Sequence, residues 1–534
     1  MVLDTRLLNY FKASLTIAAL DNPSPEELSA VESIAAIADT LNAACYTFDV
    51  VSLFRAVTVD PQAGVSFETP KFNFDSVNDP IADAIEFIRA YEGKAIFVLC
   101  DVHKYIDPSD QSRFDNTLVR RIKTLAFELK QSHKRVVLLG QGITLPDDLH
   151  GIVQELSNSL PNAIEIQKAI AQTLSDLESY PDWTRDLDES GLKRLVRASQ
   201  GLTLTEIADL LRLAVVRDRR IDLNTADILN QAKMHKLRKL KVEFSEPPTV
   251  SVGGLDLLKK WLVSRTKRFQ QYETNERPAP KGMMLVGIAG TGKSMIAKAI
   301  GHQWGIPILS VDFGAIYSSL VGDSEANLRR LLEVSEAIAP CVLLIDEVDK
   351  AMGGMKSSND SGVSQRLLGK LLTWMQEKQT PVFVCCTAND ISGLPPEFTR
   401  KGRFDEIFFV DLPNKDARKE IIQAHAQKYS GIEFNCTPEN LETLASITKD
   451  FSGAEIAAAV DEAISVADDN DANEIGYGDL ENAIRETKPL AYRNPELVTA
   501  LRTWASVSAR PAASVDVAVS TASTASGSRK ALMM

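Results

Sequence analysis

Cysteine pairs at C-x-x-C spacing are absent from this chain, and so is any run of histidines. The six cysteines and six histidines are scattered, which excludes both a disulfide framework and zinc-ligand spacing. Cys100, Cys341, Cys385 and Cys386 stand in apolar, strand-like runs, and the expectation is buried, reduced thiols in a cytoplasm-like compartment. No long apolar core is present either. The opening MVLDTRLLNYFKASLTIAAL carries an early acidic residue and lacks a small-residue cleavage site, so neither a signal peptide nor a membrane span is expected. An excess of positive charge is lacking as well. Lys+Arg 59 against Asp+Glu 72 gives −13, which argues against non-specific binding to nucleic acid or stable insertion at an anionic membrane.

What is present suits a soluble globular protein: 44% apolar and 25% charged residues over 534 positions, enough chain for two or three domains. From Ser508 onward, SARPAASVDVAVSTASTASGSRKALMM is rich in Ala, Ser and Thr, and a disordered tail is expected over 508–534. A second boundary falls at 236–250. There a basic stretch (Lys233, Lys236, Arg238, Lys239, Lys241) runs into SEPPTV, whose prolines stop a helix. A solvated helix face is the plainer reading of that basic run, and a phosphate contact the sharper one.

Between 280 and 412 short apolar strands alternate with amphipathic helices. Met283–Val286, Pro307–Val311, Cys341–Ile345 and Pro381–Cys386 read as strands, with helices at 294–304, 323–338 and 362–377. This alternation predicts a parallel sheet covered by helices on both faces. From 414 to 486 the strands vanish and four helical patterns remain, a small helical lid.

Chemistry enters at Gly287-Ile288-Ala289-Gly290-Thr291-Gly292-Lys293-Ser294, a GxxxxGK[ST] run placed between a strand and a helix. Glycines let backbone N–H groups turn inward onto phosphate oxygens. Lys293 is then expected to reach the β- and γ-phosphates of ATP, and Ser294 to ligate Mg2+. CVLLIDE347 supplies the second half: Asp346 to hold Mg2+ through water, Glu347 to polarise the attacking water. PVFVCCTAND ends on Asn389, a neutral group suited to orienting that water. Arg400 and Arg403 follow in LPPEFTRKGRFDEIFF. A planar, permanent cation suits the spread charge of a phosphoryl transition state, while surface salt-bridging is the alternative.

VGGLDLLKKWL, the Gly287–Ser294 loop, YSSLVGDSEANLRRLLE, IDEVDKA, CTANDISGLPPEFTRKGRFDEIFFVDLP and DFSGAEI resemble the AAA family of AAA+ ATPases in order and spacing, over about 240 residues. GVSQRLLGKLLTWMQEK and RKGRFDEIFFVDLP are closer still to the branch encoded in cyanobacterial and algal chloroplast genomes, which would make the compartment a cytoplasm or a plastid stroma. The resemblance implies a P-loop NTPase fold with a helical lid and a ring homo-oligomer, a hexamer. It also implies Arg400 and Arg403 as fingers reaching a neighbour's nucleotide. Val252, Gly253 and Gly254 would face the adenine, and Gly453 and Ala454 in the lid would close over it. Leu320, Val321 and Gly322 fall where threading members of the family place a pore loop, with leucine in the aromatic's place. One departure is that Ile288 and Ala289 stand where the family usually has prolines.

The first half holds a fainter copy of the same pattern. AIFVLCD101 parallels VLLIDE347, RVVLLGQGITLP parallels VFVCCTANDISGLP, and LTLTEIADLLRLAV parallels FSGAEIAAAVDEAI. Asp101 lies 45 residues before Pro146 and Asp346 lies 49 before Pro395; Pro146 to Glu206 and Pro395 to Glu455 are both 60. Three matched features in one order predict a degenerate P-loop-like α/β domain. It has no GK[ST], and Val102 follows its aspartate. The expected organisation is therefore 1–235 degenerate domain, 236–250 linker, 251–412 large ATPase subdomain, 413–487 lid, 488–507 C-terminal helix and 508–534 tail. The expected function is ATP hydrolysis coupled to remodelling of a protein client. A nucleic-acid-linked motor and a slow, nucleotide-gated assembly scaffold are the alternatives.

Overall fold

A computed structural model describes residues 2–514 apart from 61–63, 73, 75–78, 109, 111, 181, 241, 246–252, 271–277, 313–322, 354–362, 392–397, 399, 401, 429–432 and 471. Val252, Tyr317 and the expected pore residues Leu320, Val321 and Gly322 thus lie outside the described residues. By its contacts the chain divides into two units, 1–240 with 318–338, and 241–317 with 339–534. The helix Asp323–Ile338 therefore groups with the first unit, although in the chain it falls inside the stretch expected to be ATPase.

The first unit is built on seven strands: β1 (Ile17–Asp21), β2 (Ala44–Asp49), β3 (Leu53–Asp60), β4 (Gly64–Glu68), β5 (Ala95–Cys100), β6 (Lys134–Gly140) and β7 (Gln154–Ser157). They lie in the order β4-β3-β2-β5-β6-β1-β7. The β2-β5-β6-β1-β7 part is parallel, and β3 and β4 extend it as antiparallel neighbours. Strands such as AIFVLC are apolar throughout because helices cover both faces. Four helices follow, Ala163–Leu177, Glu189–Ser199, Leu204–Asp218 and Thr225–Lys239, with β8 (Thr184–Arg185) and β9 (Arg220–Ile221) paired in parallel among them.

The second unit repeats this plan. Its strands are β10 (Val242–Ser245), β11 (Gly282–Gly287), β12 (Ile308–Asp312), β13 (Cys341–Asp346), β14 (Val382–Ala388) and β15 (Glu406–Val410). After them come β16 (Glu433–Asn435) and β17 (Glu474–Gly476) among the lid helices, and finally β18 (Arg510–Pro511). The sheet order is β10-β12-β13-β14-β11-β15-β18. In chain order within each unit, the parallel core reads second, third, fourth, first, fifth strand in both sheets. Among the described residues each is followed by helices, four in the first unit and six in the second, with a two-stranded parallel pair among them.

Three expectations need correction. Part of the stretch expected as linker is β10, hydrogen-bonded antiparallel to β12, because VEF alternates as an edge strand does. Strands do not vanish in the lid, since β16 and β17 pair there. The tail does not begin at 508: β18 pairs with β15, Ala512 is buried in the core of the second unit, and its N–H donates to Phe409 O. Ser514 N–H and Oγ both donate to Asp256. Two cations of the basic run near 236 have partners within the first unit, while Arg238 and Lys239 are exposed and Lys241 lies outside the described residues. Lys233 is buried with its Nζ on Arg197 O, and Lys236 pairs with Glu206 at 2.7 Å.

Candidate functional site

The site forms at the carboxyl ends of β11, β13 and β14, where a parallel sheet directs its loops. The loop after β11 turns through Gly290 and Gly292 at φ 78° and 83°, the left-handed region that glycine enters at little cost. Gly287 has no room for a side chain, since a Cβ there would lie 2.1 Å from Val410 O. The helix Lys293–Trp304 then begins at the lysine itself.

Lys293 is 6% exposed, and its Nζ donates to the carbonyl oxygens of Gly287 at 3.0 Å and Ile288 at 2.7 Å. Burial lowers its pKa to about 8, opposed by the charges of Asp349, Asp346 and Glu347. Ser294 Oγ lies 2.9 and 2.8 Å from the two carboxylate oxygens of Asp346. The motif lysine thus rests on its own loop rather than out in the cleft.

Asp346 is the last residue of β13, and Glu347 follows it at φ 50°, which throws its side chain off the strand's alternation. Glu347 Oε1 accepts from Asn389 Nδ2 at 3.2 Å, and Oε2 lies 2.5 Å from Lys350 Nζ. The two carboxylates and the asparagine expected at the site are therefore brought together. Arg400 is exposed and Arg403 half-buried.

On the lid side, Ala454 N–H donates to Gly290 O at 2.9 Å, and the helix Gly453–Asp469 opens with a Ser452/Glu455 capping box. Gly254 N–H donates to Glu420 Oε2 at 2.7 Å, so the Gly253–Gly254 stretch is tied to the lid helix Lys415–Ala426.

Three residues were missed by sequence reasoning. Thr387 Oγ1 donates to Asp346 and accepts from Glu347 N–H at 2.9 Å, joining the two carboxylate-bearing residues. Its signal was available: a hydroxyl in the otherwise apolar run VFVCCTA, two positions before Asn389 and so on the same face. Lys350 stands three residues after Glu347 on the helix Val348–Gly353, the spacing of a helical ion pair. Glu420 lies 166 residues from its partner and had no local signal.

The first unit carries a matching turn. β5 ends at Cys100, Asp101 follows at φ 62°, and Lys104 pairs with Asp101 at 2.9 Å. Asp101 therefore corresponds to Glu347 and Cys100 to Asp346, a one-residue correction to the spacing that equated Asp101 with Asp346. The helix after β1 begins at Glu27, where its counterpart begins at Lys293. Burial raises the Glu27 pKa, with the charges of Asp101 and Asp49 adding to it.

Comparison with known proteins places residues 283–412 in the family described as "ATPase family associated with various cellular activities (AAA)". Residues 3–157 match "SpoVK-like AAA ATPase, N-terminal domain", and 164–240 match "SpoVK-like AAA ATPase, second domain". The "Uncharacterized AAA domain-containing protein ycf46" of Guillardia theta is 35% identical over 82% of this chain and 84% of that protein. The protein of the same description from Pyropia yezoensis is 35% identical over 79% and 84%. The "ATP-dependent zinc metalloprotease FtsH" of Helicobacter pylori is 32% identical over 42% of this chain and 36% of its own length.

Proposed function

The chain belongs to the AAA ATPase family and is an ATP hydrolase, and from that premise we propose that it hydrolyses ATP at the Lys293–Ser294 loop as a ring oligomer and uses the cycle to remodel a protein client. The observation that carries the catalytic assignment is the convergence of Ser294, Asp346, Glu347, Thr387 and Asn389 within hydrogen-bond reach of one another.

Loop N–H groups from 287–294 cradle the phosphates, and Lys293 exchanges its two carbonyl partners for phosphate oxygens. Ser294 and Asp346 offer a hydroxyl and a carboxylate side by side, hard oxygen donors that fit Mg2+. When bound there, Mg2+ supplies neutralising charge on the phosphates. Glu347 takes a proton from water as the water oxygen attacks the γ-phosphorus and the bond to the bridging oxygen breaks, giving ADP and phosphate. Asn389 positions that water, and Thr387 holds the backbone from which Glu347 projects. Gly253, Gly254, Gly453 and Ala454 enclose the base.

Arg400 and Arg403 act on the neighbouring subunit's nucleotide. The exposure of Arg400 supports a role in trans. Leu320 contacts the client with an apolar but small surface, so the grip is weak and the action is loosening rather than processive unfolding. A protein client is favoured by the metalloprotease relative and by the pairing of Lys233 and Lys236, which withdraws them from a phosphate-binding face.

The test is a mixing experiment. Arg400→Ala and Lys293→Ala proteins, each inactive alone, regain part of the hydrolysis when combined, because one supplies the loop and the other the finger at a shared interface. No recovery at any ratio, with both variants folded and assembled, contradicts the assignment in trans.

A further inference from the structure

The two halves treat one hydrogen bond differently. In the ATPase unit the second residue of the helix Gly453–Asp469, Ala454, donates its N–H to a loop carbonyl, Gly290 O. The helix Leu204–Asp218 of the first unit has the same entrance, a Thr203/Glu206 capping box, and its second residue is Thr205. Thr205 N–H meets no loop carbonyl. It donates to the Glu26 carboxylate, Oε1 at 2.8 Å, and Glu26 is only 8% exposed. Glu26 sits in the turn from β1 to the helix Glu27–Thr40, the place where the second unit has its Gly287–Ser294 loop.

That turn, Asn22-Pro23-Ser24-Pro25-Glu26, is unsuited to an external phosphate. Its two prolines offer no N–H, and Glu27 stands at the lysine's position. A buried carboxylate at a helix's first turn gives that end an anion of its own, with a charge-assisted hydrogen bond and a favourable dipole interaction. The ATPase unit makes its equivalent contact from backbone to backbone, between neutral groups that can part and re-form at small cost.

We propose that Glu26 is a built-in anion that latches the helices of 163–239 onto the N-terminal sheet, so the first unit stays shut whatever nucleotide the second one holds. The first unit is then a fixed platform, and only the lid of 413–487 opens and closes with the cycle. The latch concerns 1–240 alone and stands whether or not the ring and client readings hold.

Hydrogen exchange on the full chain tests it, with and without a non-hydrolysable ATP analogue. The wild-type Thr205 amide is expected to exchange at the same rate in both conditions, while amides at 453–456 slow with the analogue. Glu26→Ala is expected to speed exchange at Thr205 by about tenfold or more, as loss of a bond to a charged acceptor does. Glu26→Gln, which keeps a neutral acceptor of the same length, is expected to fall between the two. Protection of 204–207 by the analogue in the wild type overturns the latch. So does a Thr205 rate unchanged in Glu26→Gln and Glu26→Ala, the glutamine variant serving alone if the alanine one does not fold.

Discussion

The two sheets of this molecule share a strand order and differ in a handful of side chains at matched places. Where the second unit has Lys293 the first has Glu27, where it has Asp346 the first has Cys100, and where it has Thr387 the first has Leu139. Other features persist across both. A left-handed acidic residue follows the third core strand, paired with a lysine three positions on, and a Ser/Thr–Glu capping box opens the third helix of each helical part. What persists serves the fold: the turn needs its residue at positive φ, and the helix needs its first N–H groups satisfied. What differs concerns a polyphosphate and its cation. A cationic, hydroxyl-lined loop end can receive them. Glu27, with the carboxylates of Asp101 and Asp49 nearby, offers a polyphosphate no counter-charge.

The largest expected effect separates the units outright. Lys293→Ala is expected to lose ATP binding, and Glu347→Gln to bind ATP but slow hydrolysis by about 10²-fold or more. Glu27→Ala and Asp101→Asn, the matched changes in the first unit, are expected to leave turnover near wild type. Steady-state hydrolysis alongside nucleotide binding checks all four, and a hydrolysis defect of similar size in Asp101→Asn breaks the comparison.

A smaller effect is expected from making the second unit resemble the first at one buried hydroxyl. Thr387→Val keeps the strand's shape but removes the donor to Asp346 and leaves Glu347 N–H without its acceptor. The loss is expected to be about tenfold in kcat, with a stability cost of about 1–3 kcal/mol for the orphaned buried groups. Turnover and thermal unfolding measured on one preparation check it; a wild-type kcat removes Thr387 from the site.

The motifs were legible because each is contiguous and its chemistry is local. A glycine loop, a strand ending in Asp346-Glu347 and a strand ending near Asn389 can be read without knowing what packs against them. The parallel core was legible for the same reason, as VLLI and VFVCC are buried on both faces. The remainder depends on partners distant in the chain. β10, β16, β17 and β18 are two to four residues long and exist only because another strand runs beside them. Ala512 looks like tail composition until it is seen buried beside Leu258. The offset between Asp101 and Asp346 was hidden because spacing to a distant proline cannot resolve one residue, whereas a positive φ at the strand's end can. The expected pore loop at 320–322 lies outside the described residues and stays a proposal drawn from resemblance.

One of the two similarly built halves is expected to handle nucleotide and the other is not. Calorimetric titration of the intact chain with MgATP, using Glu347→Gln to prevent turnover, measures this most directly. At most one bound nucleotide per chain is expected, and none once Lys293→Ala is added. Two nucleotides per chain, or one that survives Lys293→Ala, contradict it.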